Sequence, residues 1–478
     1  MKKYLSFLLL LGLLYACSGD SPEVPAPKPE PDTDQDDNKD PKPDLESGTT
    51  YVFPKDFSDA LVGKEVTIKN EMVVVRTFGD KLDGKITLAP SMLRIPTDIQ
   101  LPGTDAYKEQ EKANRDAKLT LEPQGISLLD PAIKTLRVGT KFSGLKGKVS
   151  KDRDRFMLIL SETPTIEYAK RTTFADANKN VSDAANVTVA TMNLEYYMAS
   201  PSSWGHSNGA HDKAAFERQH TKIVAAMKEM KADIFAVCEI EEGDYSPAFL
   251  TKELNKALGT TVYKFVDTGD KKVSSYTKNT FIYNAEVVNP FKDCKSYDAD
   301  YLKLRHIIQC FELNGSGEKF ILSLNHYKSK SGKASGLYVD KHDGQGAFNA
   351  RRVEEAKNCL KTFASLQDYY GDKDIMVVGD LNSYSKEDPI RLFTDAGYVD
   401  ELMKYDPSSW SYIYDGQAGY LDHILSSATM TTQVLDAFSW DVNASEPSGV
   451  GYKNEYSTSI LPYRYSDHNP VIAVLGLK

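Results

Sequence analysis

Six apolar runs in the second half of this chain each meet a hydrogen-bonding or acidic side chain at one end. Val187 to Met192 closes on Asn193, Ile234 to Cys238 on Glu239, and Phe320 to Leu324 on Asn325-His326. Ile375 to Gly379 closes on Asp380-Leu381-Asn382, Asp422-His423 abuts Ile424-Leu425, and Ser466-Asp467-His468 leads into Val471 to Leu475. A lone carboxylate at a strand end is ordinarily a turn residue. Six strand ends decorated alike point instead to one shared rim. Carboxylates converging there repel one another, and a cation is the usual remedy. Oxygen donors without cysteine favour magnesium, manganese or calcium over zinc, as one or two ions.

The elements that must position these residues follow from periodicity. Phe216, Ile223, Met227 and Met230 are spaced for one face of a helix, with the strand Ile234 to Val237 directly after it. Val353, Ala356, Leu360 and Phe363 mark a second such face, followed by the strand Ile375 to Val378. Helix then strand, twice, among hairpin-like pairs, indicates an α/β sandwich over 185–478. Residues 50–168 read differently: short alternating stretches such as Glu65 to Ile68, Met72 to Val75 and Phe156 to Leu160, with Gly and Pro between them, predict a small all-β barrel or sandwich. The polar stretch Ala169 to Ala185 marks the boundary. All six motifs lie after residue 185, so a fragment starting near Ala175 is expected to fold and turn over alone.

The order of motifs resembles the endonuclease/exonuclease/phosphatase superfamily, which includes the pancreatic-type deoxyribonucleases, abasic-site endonucleases and sphingomyelinases. It covers residues 187 to 475 and departs at Cys238, where the family commonly has Gln. The resemblance implies a four-layer αββα sandwich, and Val138 to Val149 is similar to a strand of the OB-like domains that precede bacterial secreted nucleases. It further implies Glu239 as principal metal ligand with Asn193 and Asp467 nearby, and His468 as the base that takes a proton from water. Asp422 would orient that imidazole, Asp380 and Asn382 would position water and phosphoryl oxygen, and His326 would donate to phosphate or to the leaving oxygen. Asn349 to Val353 resembles a segment bearing a phosphate-contacting arginine, matched by Arg352; Lys328, just after His326, would add positive charge at the cleft mouth.

The N-terminus and composition bound the setting. Met1-Lys2-Lys3, an apolar run to Leu14 and Ala16-Cys17 read as an export signal, with Cys17 where bacterial lipoproteins carry their acyl chains. Residues 1–17 are thus expected to be a signal peptide, with a lipid anchor at the outer membrane on its periplasmic or cell-surface face. Ser18 to Gly48 is an acidic, Pro-rich stretch expected to act as an extended spacer. The spacer holds ten Asp or Glu and three Lys, so it accounts for most of the formal charge of -10. The folded remainder carries no strongly basic domain of the kind that coats nucleic acid. With no CxxC pair, the remaining cysteines argue against a zinc ribbon; Cys294 and Cys310 could be bridged or remain thiols.

One catalytic set in this superfamily serves DNA, RNA, phospholipids and inositol phosphates. The segments Asn325 to Lys330 and Tyr412 to His423 look most like bacterial extracellular nucleases, which favours nucleic acid, DNA ahead of RNA, cleaved by a monomer. A phospholipid or sugar-phosphate enzyme is the alternative; the lipid case needs an exposed apolar hairpin, and the sequence offers no clear one. A surface-tethered binding protein with a dead site is the other, and it would require a lost catalytic position, which the sequence does not show.

Overall fold

A computed structural model describes residues 49–77, 84–180, 182–268, 276–297, 305–454 and 461–478. Cys17 and the spacer to Gly48 lie outside the described residues. In the second half, two six-stranded sheets stack face to face. The first runs Tyr263–Phe265, Thr277–Asn284, Ile234–Glu241, Val187–Tyr197, Val471–Leu475, Val434–Ser439; the second runs Val288–Ser296, His306–Leu313, Lys319–His326, Ile375–Asp380, Asp422–Ser426, Val399–Asp400. Their inner faces share one apolar core, in which Val189, Ala236, Phe281 and Ala473 meet Leu322, Leu324, Met376 and Ile424.

Helices cover the outer faces. Lys213–Met230 and Tyr245–Leu258 bury Phe216, Ile223, Met227, Leu250 and Leu254 against the first sheet. Asn349–Tyr370 and Asp388–Asp395 bury Ala356, Phe363, Ile390 and Phe393 against the second. The result is the four-layer αββα arrangement. Each sheet contains one parallel pair joined across a helix, Val187–Tyr197 with Ile234–Glu241 and Lys319–His326 with Ile375–Asp380. Parallel pairing brings both carboxyl ends to the same edge, which is where the polar residues sit.

Residues 50–167 form a strand-rich module with nine strands in one hydrogen-bonded order around its own core of Val66, Met72, Leu88, Leu121, Phe142 and Leu158. It also contains a helix, Asp105–Asp116, that the all-β reading omitted. That helix has no apolar stripe: it is built from strong helix formers, is capped by the Thr104 hydroxyl accepting from the Tyr107 amide at 3.2 Å, and buries only Tyr107 and Asn114.

The module is not a bystander. Leu93–Arg94 pairs in parallel with Gln417–Ala418, which in turn pairs with Tyr412–Tyr414, so one small sheet is shared by both halves. Asn114 donates to Gln417 at 2.6 Å, Lys118 meets Asp415 at 2.8 Å, and the buried Asp98 accepts from Ser385 at 3.0 Å. Both halves fall in one compact unit, Leu45–Lys478. These contacts run against the expectation that the second half stands alone.

Candidate active site

Backbone register places three of the polar residues side by side. His326 pairs with Asp380, and Asp380 with Asp422, across three neighbouring strands of the second sheet. Gly379 makes this approach possible: its φ is +113°, and a Cβ there would lie 2.2 Å from the Asn325 carbonyl oxygen. In the facing sheet, Asn193 pairs with Cys238, and the ladders lose register just beyond, at Asn193/Tyr197 and Val237/Ile240. Glu195, Tyr196, Glu239 and Asn382 all hold positive φ, between +47° and +60°. Such left-handed residues cost energy and cluster where a side chain is being aimed.

Asn193, Glu195, Glu239, Arg305, His326, Asp467 and His468 line a cleft of about 350 Å³. Asp380 and Asp422 are almost wholly buried beside it. His468 Nδ1 lies 2.7 Å from Asp422 Oδ2, which leaves Nε2 for the cleft, 4.0 Å from Asp380 Oδ2. His326 Nε2 is 3.6 Å from Glu239 Oε1 and 3.7 Å from Asp380 Oδ2. The Asn193 amide donates to Asp380 Oδ2 at 3.2 Å, and its oxygen accepts from the Glu195 amide at 2.9 Å. Asp380 Oδ1 accepts from the Asn382 backbone at 2.9 Å, while the Asn382 side chain donates to the Tyr327 carbonyl at 3.1 Å. Asn382 therefore anchors the turn and shapes Asp380.

Charge separates the two histidines. Burial pushes the His468 imidazole down, but the Asp422, Asp380 and Asp467 carboxylates outweigh that and hold it well above its ordinary value. Burial pushes His326 down as well, and the positive Arg305 and His468 beside it push the same way, so it stays neutral. Burial and the neighbouring Asp467 charge push the Glu239 and Glu195 carboxyls up. Asp380 moves up too, through burial and repulsion from Asp422 and Glu239 against the pull of His468.

A carboxylate set strained in this way suits a hard cation. Among the described residues no three His, Cys, Asp or Glu side chains gather into a ready-made cage. An ion of the magnesium type needs none, since it keeps several waters and takes one or two carboxylates. Glu239 and Asp467, with Asn193 or Glu195 close by, fit that demand.

Two phosphate assignments need correction. Arg352 is fully buried, and its guanidinium donates to the carbonyls of Lys328, Ala347 and Gln345 at 3.2, 2.8 and 2.7 Å, so it braces loops rather than facing the cleft. Lys328 folds back onto Ser329 and Ser331 and lies over the Phe348 ring at 4.3 Å. Arg305 is the guanidinium that lines the cleft, and its Nε has no hydrogen-bond partner among the described residues. The sequence carried no sign of it. Glu195 could have been read, since it stands two residues beyond Asn193 on an extended run. Cys294 and Cys310 are both free thiols.

A search among curated proteins gives no match. Solved structures that resemble the chain include an endonuclease/exonuclease/phosphatase from Bacteroides vulgatus, 15% identical over 61% of this chain and 99% of that one, with a TM-score of 0.41. The human Nocturnin catalytic domain is 14% identical over 61% of this chain and 94% of its own, TM-score 0.40. A mannosyl-6-phosphatase from Bacteroides thetaiotaomicron is 16% identical over 60% and 99%, TM-score 0.39. The family model for Endonuclease/Exonuclease/phosphatase matches residues 191–468, the span that contains all six motifs, and the chain belongs to that family of phosphoester hydrolases, whose members commonly use divalent metals.

Proposed function

We propose that the protein is a divalent-metal-dependent phosphodiesterase that cleaves nucleic acid. The observation that carries this reading is the 2.7 Å His468–Asp422 pair opening onto a cleft that also holds Glu239, Asp467 and Arg305. Asp422 fixes the tautomer with the proton on Nδ1, and a cation bound beside Asp467 would offset the carboxylates that raise the imidazole, leaving Nε2 free to accept a proton from water. Glu239 and Asp467, with Asn193 alongside, would hold a magnesium or manganese ion, which would supply positive charge against the carboxylate field and at the phosphate. Arg305 binds the phosphate, Asp380 orients the attacking water, and the neutral His326 donates to the phosphoryl or leaving oxygen.

Nucleic acid is favoured by a ladder of aromatic rings at the cleft. Tyr196 lines it, the His206 ring stacks on Tyr196 with centroids 5.8 Å apart, and Tyr276, 58% exposed, lies 4.4 Å from His206. Unpaired bases stack on such faces with little regard to sequence. The monomer, tethered through Cys17 to the cell envelope, would act on extracellular or periplasmic strands.

A phospholipid reading gains from one feature that the sequence did not disclose. The turn Gly336–Tyr338 presents Leu337 at 79% exposure and the next residue, Val339, at 47%. That is an apolar tip of the kind lipid docking requires. The test is parallel digestion of circular plasmid, linear duplex, RNA, sphingomyelin vesicles and a sugar phosphate, each with magnesium, manganese or chelator. Metal-dependent cleavage of DNA or RNA is expected. Cleavage of sphingomyelin or sugar phosphate alone would replace the nuclease reading, and undiminished turnover in chelator would remove the metal.

A further inference from the structure

Trp440 to Glu446 is a short segment that follows the strand Val434–Ser439 and packs beside the loop that carries Asp467 and His468. Its two carboxylates are both claimed by arginines from earlier in the chain. Arg137, 6% exposed in the strand-rich module, sets a terminal nitrogen 2.9 Å from Asp441 Oδ2 and its Nε 2.9 Å from Glu446 Oε1. The same guanidinium also donates to the Asp441 carbonyl, and at 2.6 Å to the Lys170 carbonyl. Arg171 forks onto the buried Glu446 at 2.8 and 2.5 Å. The Val138 amide adds a backbone bond to the Ser445 carbonyl at 3.0 Å.

From Asp441 the contacts lead to the catalytic histidine. Asp441 Oδ1 accepts from the Asn469 side chain at 3.1 Å, and Asn469 is the residue after His468. Asn469 Oδ1 accepts from the backbone amides of Asn443 and Ala444, both at 2.8 Å. Asn443 closes the loop by donating to the His468 carbonyl at 2.6 Å. Arg137, Asn443, Ala444, His468 and Asn469 are all buried, so the network has little freedom to relax around a lost partner.

We propose that Arg137 is a positioning residue for the reaction: through Asp441 and Asn469 it sets the backbone on which His468 stands. The strand-rich module thereby completes the catalytic geometry without touching substrate. This rests on His468 as the base. An arginine is needed because only its planar fork faces two carboxylates and two carbonyls at once, where a lysine offers a point charge. A displacement of about 1 Å at the reacting groups costs on the order of a hundredfold in rate.

The test compares the full-length protein with Arg137→Gln, Arg137→Lys and Leu121→Ala on a chromogenic phosphodiester in magnesium, with melting curves for each. Leu121 lies in the apolar core of the same module and is fully buried, so its truncation weakens the module without touching the network. Arg137→Gln is expected to lower kcat by about ten- to a hundredfold at unchanged KM. Arg137→Lys should recover part of that loss, and Leu121→Ala should melt earlier yet keep its kcat when folded. A folded Arg137→Gln with normal kcat, or an equal kcat loss in Leu121→Ala, overturns the proposal. Should Arg137→Gln not fold, Asp441→Asn carries the test, because it keeps the shape while removing the charge that faces Arg137 and one of the two oxygens that accept from Asn469 and Ser445. Loss of kcat there supports the proposal and normal kcat refutes it. A wild-type protein inactive on every phosphoester would instead overturn the assignment of His468.

Discussion

Replacing Asp422 with Asn removes one charge from the site and almost no volume. Asp422 is 1% exposed and its carboxylate is the nearest acceptor to His468 Nδ1, at 2.7 Å, so the pair is a desolvated, charge-assisted bond. With Asn, the amide nitrogen can donate to Nδ1, which moves the imidazole proton to Nε2 and leaves nothing there to accept from water. The pull that Asp422 exerts on His468 also disappears, so burial is opposed by only two carboxylates, Asp380 and Asp467. In carboxylate–histidine pairs of this kind the wrong tautomer costs about 10³- to 10⁴-fold in kcat. That is about 4 to 5.5 kcal/mol of transition-state stabilisation. Asp422 does not line the cleft, so KM should hold. The assay is kcat and KM on a chromogenic phosphodiester and on a short oligonucleotide, with circular dichroism to establish that the variant is folded. A fall of less than about tenfold in a folded variant would refute the role of the pair, since the tautomer argument cannot yield so small an effect.

Three further outcomes are expected. A fragment beginning at Ala175 strips Arg137 and Arg171 from the buried Glu446 and removes the strand that pairs with Gln417–Ala418, so it should express as aggregate or melt far below the full chain; size exclusion and calorimetry decide. Arg305→Ala should fold normally and lose about ten- to a hundredfold in kcat/KM, whereas Arg352→Ala should leave three carbonyls short of a donor, melt earlier and keep its turnover when folded. His306 is fully buried and pushed down to about 3, so the unfolded chain takes up its proton near 6.5 while the native state refuses it. The stabilisation is complete above about pH 6.5 and is lost as pH falls towards 3; His306→Phe should therefore lose less stability between pH 7 and 4 in urea titrations than the wild type, and equal losses would refute this.

The sandwich was legible because its strands are continuous apolar runs and its two crossover helices repeat Phe216, Ile223, Met227 and Val353, Ala356, Phe363 on one face. The rim was legible for the same reason: a polar side chain at the end of a buried strand has few other places to go. What periodicity could not reveal was direction in the loops. Arg352 and Arg305 look alike as letters, yet one is turned inward to three carbonyls and the other opens on the cleft. The helix Asp105–Asp116 escaped notice because its polar sequence leaves no stripe to count. The docking of the two halves was hidden altogether, since ion pairs such as Arg137–Glu446 join residues with no pattern between them.

The pairing of Leu93–Arg94 with Gln417–Ala418 joins strands roughly 300 residues apart in the chain. Contacts of such sequence separation are assembled late, because the closure entropy must be met before they return anything. The hairpin they complete carries Tyr412, whose ring lies 4.7 Å from that of His468. Catalytic competence should consequently lag behind the burst of secondary structure during refolding, and a chain interrupted in that interval would have both sheets formed, intact cores, and no activity.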